Sequence, residues 1–96
     1  MADGDEPVHE VPIEPELDLH AFAPRVTTDV LDAYLEAAHA RGFTEVRIVH
    51  GRGHGVQRAL VQRALKTHPL VAAFDDDRRS HLGATLVRLV APPTDT

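Results

Sequence analysis

The sequence predicts a small α/β domain: a two-layer α+β sandwich in which about four strands form a mixed sheet and two helices cover one face. Short windows at 17–20, 45–49, 70–74 and 84–90 are apolar or alternate apolar with polar residues, as strands do. Two longer windows between them, 27–42 and 56–68, carry apolar residues at helical spacing. The resulting order, β-α-β-α-β-β, predicts parallel pairing of the first two or three strands. The closing pair, joined by a short loop, adds an antiparallel neighbour.

Each element has its own signal. Residues 1–16 hold Pro7, Pro12 and Pro15 among six acids, which suits a flexible or extended lead-in, with Val11 and Ile13 free to lie along the domain surface. "ELDLH" opens the domain proper with Leu17 and Leu19 on one strand face, and "AFAPRV" reads as a loop. In "TTDVLDAYLEAAHARG", Thr27 or Thr28 is the expected N-cap, residues 30, 31, 34, 35 and 38 form the apolar stripe, and Gly42 is the stop. "EVRIV" at 45–49 reads as a buried strand. "VQRALVQRALKTH" aligns Val56, Leu60, Val61, Ala64 and Leu65 before Pro69 ends the helix. "LVAAF" is the third strand, "DDDRRSHLG" a turn-rich excursion and "ATLVRLV" the last strand. The domain therefore spans 17–90, with 91–96 frayed.

Ninety-six residues suit one domain. The absence of cysteine excludes disulfides, a thiolate nucleophile and cysteine-ligated metal sites. No apolar run approaches the roughly 18 residues that span a bilayer, and the acidic start lacks the features of a signal peptide, so the expectation is a soluble cytoplasmic protein with no membrane partner. The net charge of −5 is unevenly distributed: residues 17–90 carry ten basic residues against eight acids, a balance of +2. Within 47–66, Arg47, Arg52, Arg58, Arg63 and Lys66 occur with no carboxylate between them, which is either an anion-binding face or a solvated helix face.

Topology supplies a candidate site. A right-handed crossover makes the first two strands parallel neighbours, so Asp18 and His20 reach the sheet edge where "VHGRGHG" begins at Val49. Gly51, Gly53 and Gly55 let a phosphate approach the backbone, the helix that follows presents free N–H groups, and Arg52 offers a bidentate donor. His54 either touches ligand or caps the turn. This turn has neither the spacing of a Walker loop nor that of G-x-G-x-x-G, and by itself it is equally well read as tight-turn chemistry. Asp18 beside His20 is the added feature, a carboxylate placed to orient an imidazole. Asp75, Asp76 and Asp77 read as a solvated loop, His39 and His68 as helix-end residues, and no histidine spacing matches a dedicated metal site.

With "LDLH" at 17–20, "EVRIVHGRGHG" at 45–55, "THPLVAAF" and "LGATLVRL" set in this order, the chain resembles the small MutS-related (Smr) domain over roughly 17–90, in its stand-alone form. The resemblance implies a fold similar to the C-terminal domain of translation initiation factor three. It also implies nucleic-acid binding, with endonuclease activity in several members. The family's D-x-H pair falls on Asp18 and His20, and its H-G-x-G turn on His50, Gly51, Arg52 and Gly53. Ala21 stands where the family usually has glycine, and Gly83 is what remains of a glycine-rich approach to the last strand.

The expected function is therefore phosphodiester cleavage in DNA or RNA by nicking, hydrolysis or transesterification. Asp18, His20 and His50 would do the acid-base chemistry, while Gly51, Arg52, Gly53, His54, Gly55, Arg58 and Arg47 hold phosphate. No cofactor is required; a loosely bound divalent cation is the variant suited to DNA, whereas RNA brings its own 2′-hydroxyl nucleophile. The alternative is a non-catalytic module that grips nucleic acid or a ribosome, and a small-molecule phosphate binder is a third reading. A monomer is expected.

Overall fold

The computed structural model describes residues 13–51, 55–80 and 83–91. Its elements are β1 (Glu16–Asp18), α1 (Pro24–Ala40), β2 (Glu45–Val49), α2 (Val56–Thr67), β3 (Val71–Asp76), a 3₁₀ turn (Arg78–Ser80) and β4 (Ala84–Leu89). The predicted order and the two-layer α+β class are observed. The lead-in and tail assigned to 1–16 and 91–96 lie largely outside the described residues.

Several boundaries differ for local reasons. Helix α1 starts three residues before Thr27, because Pro24 enters at its first position with φ already suited to a helix, and Ala23 before it is extended. Thr27 is therefore a fully buried residue of the first turn and not the N-cap. The other end is as expected: Gly42 is left-handed (φ 87°), its N–H donates to the His39 carbonyl at 3.0 Å, and that of Phe43 donates to Ala38 at 3.1 Å. Strand β1 stops at Asp18, although Leu19 is buried and still donates its N–H to Val49 at 2.7 Å. Val56, predicted on the apolar stripe of α2, is 53% exposed, because it stands at the first turn, beyond the reach of the core.

The sheet order is β1-β2-β4-β3. β1 pairs parallel with β2, and β4 lies antiparallel between β2 and β3. Parallel pairing thus involves only the first two strands, yet β3 runs in the same direction as both. The carboxyl ends of β1, β2 and β3 and the amino end of β4 consequently meet at one edge.

One face of the sheet packs against the helices. Leu31, Tyr34, Leu35 and Ala38 of α1 and Val61 and Leu65 of α2 form one cluster with Leu19, Val46, Ile48, Val87 and Leu89. The six residues Leu19, Leu31, Leu35, Ile48, Val61 and Val87 are less exposed than 2%, and burying each such side chain contributes about 1.5–3 kcal/mol. The lead-in joins this core earlier than predicted: Ile13 packs against it, Tyr34 Oη donates to the Glu14 carbonyl, and Arg47 N–H donates to the Pro15 carbonyl at 2.8 Å.

β3 contains a register shift between Val71 and Ala73, so that Val71 pairs with Leu89 and Phe74 with Val87. Three residues on β3 match two on β4, and both Val71 and Phe74 can pack on the core. Downstream, Asp76 pairs with Thr85 and projects to the helix side, while Asp75 projects to the open side.

A candidate acid-base and phosphate site at the carboxyl edge

The first half of the site is a tight turn. After β1, the Phe22 N–H donates to the Leu19 carbonyl at 2.9 Å, which places His20 and Ala21 at the corners of a turn. Asp18 Oδ1 accepts both the His20 backbone N–H at 3.0 Å and the His20 Nδ1–H at 2.6 Å. These two bonds hold the Asp18 carboxyl below the usual carboxylate range, the side-chain bond contributing most. An ionised carboxylate only accepts, so the ring proton sits on Nδ1 and Nε2 is left as the basic nitrogen. The His20 side chain is 63% exposed, so that nitrogen is accessible.

The second half begins where β2 ends. The N–H groups of His50 and Gly51 both donate to the Gly83 carbonyl at 3.0 Å, which ties the turn to the start of β4. Gly51 is left-handed (φ 81°), and a Cβ at this position would stand 3.4 Å from the His20 Cβ. The two halves are therefore in van der Waals reach, as the crossover topology predicted. Gly55 caps α2 without any side-chain bond to the helix N-terminus, and the first turn of α2 carries no acid. Among the described residues no side chain caps its first N–H groups, the kind of helix start that suits an anion. Arg52, Gly53 and His54, which complete the predicted phosphate cradle, lie outside the described residues.

Three predicted site residues have surroundings that the sequence did not disclose. His50 is 97% buried by its 3% residual exposure; its Nε2 lies 2.9 Å from Thr85 Oγ1 and its Nδ1 3.1 Å from the Gly51 carbonyl. Burial pushes its pKa down. It is inside the edge and not on it. Arg58 makes a two-point bond to Asp76, Nε to Oδ1 at 3.0 Å and Nη2 to Oδ2 at 2.8 Å. Arg47 donates through Nε to Asp77 Oδ2 at 2.7 Å and through Nη1 to Glu16 Oε1 at 3.1 Å. The carboxylate-free stretch 47–66 is thus supplied with carboxylates by neighbouring strands. The aspartate run read as a solvated loop is the source of two of them.

A second set of residues, not predicted, supports the site. Gln57 Nε2 donates to the carbonyls of Phe22 at 2.7 Å and Leu19 at 3.2 Å, and its Oε1 accepts from the buried Thr27 hydroxyl at 2.6 Å. The first turn of α2 thereby clamps the turn that carries His20. Gln62 Nε2 donates to Asp76 Oδ1 at 3.0 Å and to Thr85 Oγ1 at 3.1 Å. Arg58 and Gln62 stand at i and i+4, a spacing that puts them on one helix face and was the available signal for a shared partner. Among the described residues, no group of three or more His, Cys, Asp or Glu is placed to hold a metal, and no helix is long and apolar enough to cross a membrane.

The Smr domain family model matches residues 17–90. This chain belongs to the Smr domain family. The Smr domain here is 40% identical over 74 residues to endonuclease MutS2 of Helicobacter pylori and 37% identical over 79 residues to that of Thermomicrobium roseum. These alignments cover 77% and 80% of the chain but 10% of each relative, so the chain spans about one tenth of their length. The crystal structure of the Smr domain of Thermus thermophilus MutS2 superimposes with a TM-score of 0.75 at 31% identity, covering 78% of this chain and 96% of that one. YdaL, a stand-alone small MutS-related protein of Escherichia coli, shares the fold with a TM-score of 0.73 at 24% identity, covering 81% and 66% of the two chains.

Proposed function

We propose that this Smr domain is a nucleic-acid endonuclease in which the turn at 50–55 holds the scissile phosphate and His20, oriented by Asp18, moves the proton. The carrying observation is the close approach of Gly51 to the His20 Cβ, which sets an exposed imidazole beside the glycine turn that precedes α2. The relatives named as endonucleases support the same reading. In RNA the 2′-hydroxyl loses its proton to His20 Nε2 and attacks the phosphorus; the bond to the 5′-oxygen breaks, that oxygen takes a proton from solvent water, and a 2′,3′-cyclic phosphate forms. With DNA a water is the nucleophile, and a divalent ion held by the substrate phosphate becomes useful. His50 serves in this reading as a support for the turn. Arg47 and Arg58 are already paired with carboxylates and are not free donors to a phosphate. A cytoplasmic setting accords with the cysteine-free sequence.

The binding-only reading, with structured RNA or a ribosome as partner, draws on the burial of His50, which leaves His20 as the exposed imidazole at this edge among the described residues. One experiment separates the two. Purified protein is incubated with single- and double-stranded RNA and DNA, with chelator or with Mg²⁺, alongside Asp18→Asn and His20→Ala. Cleavage lost in both variants while binding persists supports the enzyme; binding without cleavage in the wild type supports the module; cleavage unaffected by both variants overturns the assignment of Asp18 and His20.

A further inference from the structure

Phe22 and Val56 are the large hydrophobic residues that stand exposed among the described residues, at 41% and 53%. They are 34 positions apart in sequence, yet they flank the same site. Phe22 closes the turn that presents His20, and Val56 is the first residue of α2, directly after the glycine-rich turn. Gln57, the next residue, donates to the Phe22 carbonyl at 2.7 Å and so fixes the Phe22 backbone against the first turn of α2. An aromatic ring is thus left in water on a clamped loop, two residues from the exposed imidazole. Two side chains make a patch far too small for a protein interface, which needs about 800 Å² on each partner.

We infer that Phe22, with Val56 at the neighbouring helix start, is a stacking platform for an unpaired nucleobase adjacent to a phosphate at the start of α2. The preferred substrate is then a single strand, or an unpaired stretch within a structured one. Every base has an apolar face that an exposed aromatic can cover, whereas a continuous duplex keeps those faces stacked inside. An anion-binding helix start beside an exposed ring matches the alternation of phosphate and base along a strand. The sugar does not enter this contact, so RNA and DNA single strands share it. This inference rests on the nucleic-acid reading of the site above.

The test is fluorescence anisotropy with labelled single-stranded RNA, single-stranded DNA of the same sequence, its blunt duplex, and a sugar-phosphate strand lacking bases. Wild type, Phe22→Ala and Phe22→Trp are compared after circular dichroism has shown equal folding. Phe22→Ala is expected to lose about 5- to 150-fold in affinity for both single strands, with little change on the duplex or the baseless strand. Phe22→Trp is expected to restore single-strand affinity. Wild-type affinity of Phe22→Ala for single strands, an equal loss on the baseless strand, or failure of Phe22→Trp to restore binding overturns the platform while leaving the nucleic-acid reading intact. A wild type that binds none of the four ligands overturns both.

Discussion

His50 Nε2 and Thr85 Oγ1 meet at 2.9 Å inside the carboxyl edge, and this contact determines what His50 can do. The Gly51 carbonyl beside Nδ1 can only accept, so the neutral ring carries its proton there and the Thr85 hydroxyl, which also accepts from Gln62, donates to His50 Nε2. A neutral, enclosed imidazole of this kind props up a glycine turn.

Thr85→Val leaves His50 Nε2 and one Gln62 hydrogen without a partner, which is expected to cost about 1–3 kcal/mol in denaturant unfolding. If His50 supports the turn, Thr85→Val and His50→Gln weaken cleavage to similar extents. Turnover abolished by His50→Gln but untouched by Thr85→Val would make His50 a chemical group instead.

The same burial predicts how stability varies with pH. The folded-state pKa of His50 lies below its unfolded value of 6.5, so the unfolded chain binds the extra proton. Stability from this group is complete above that value and declines as pH falls toward the folded pKa. The Asp76 and Asp77 carboxyls are held below 3.8 by Arg58 and Arg47, and their contribution disappears at more acid pH, in the same direction. Thermal midpoints measured between pH 8 and 5 are therefore expected to fall, with a shallower fall in His50→Gln.

Asp18→Asn keeps the size of the side chain but can place an N–H against His20 Nδ1, moving the ring proton to Nε2. Cleavage is expected to fall about 10²- to 10⁴-fold with binding preserved, the range of a lost general base. Single-turnover kinetics beside anisotropy would show it, and a change confined to affinity would contradict the orienting role.

Asp76→Asn releases Arg58 from its strongest partner. Unfolding free energy is expected to drop by about 1 kcal/mol, since both partners are partly exposed. Nucleic-acid affinity is expected to rise, and the slope of log affinity against log salt to steepen by about one phosphate contact. An unchanged slope would place Arg58 away from the path of the strand.

Removal of residues 13–15 strips Ile13 from the core and takes the carbonyls of Glu14 and Pro15 from Tyr34 and Arg47. A chain starting at Glu16 is expected to be less stable than one starting at Ile13 by about 2–4 kcal/mol, combining one buried aliphatic side chain with the lost bonds. Equal denaturant midpoints for the two would refute the anchoring.

Local signals in the sequence were sufficient for both helices, β2 and the meeting of "LDLH" with the glycine turn, because one crossover between adjacent parallel strands fixes that encounter. They were insufficient wherever the outcome depended on which strand lies beside which. Arg47 and Arg58 read as free cations until β4 brings β3, and with it Asp76 and Asp77, across the sheet. His50 read as a chemical group because its burial depends on Gly83 and Thr85, more than thirty residues away. Pro24 carried the start of α1 in plain view, but the threonines after it looked like the more usual cap.

The irregularity at Val71–Ala73 sets the phase of every residue after it in β3. Shortening the strand by one residue there would turn Asp76 toward the open side and Asp75 and Asp77 toward α2. Arg58 would lose Asp76 and Arg47 would keep Glu16 alone, though neither arginine had been altered. The charge pattern around the carboxyl edge is thus written a few residues upstream on the same strand, in a pair of alanines that carry no charge at all.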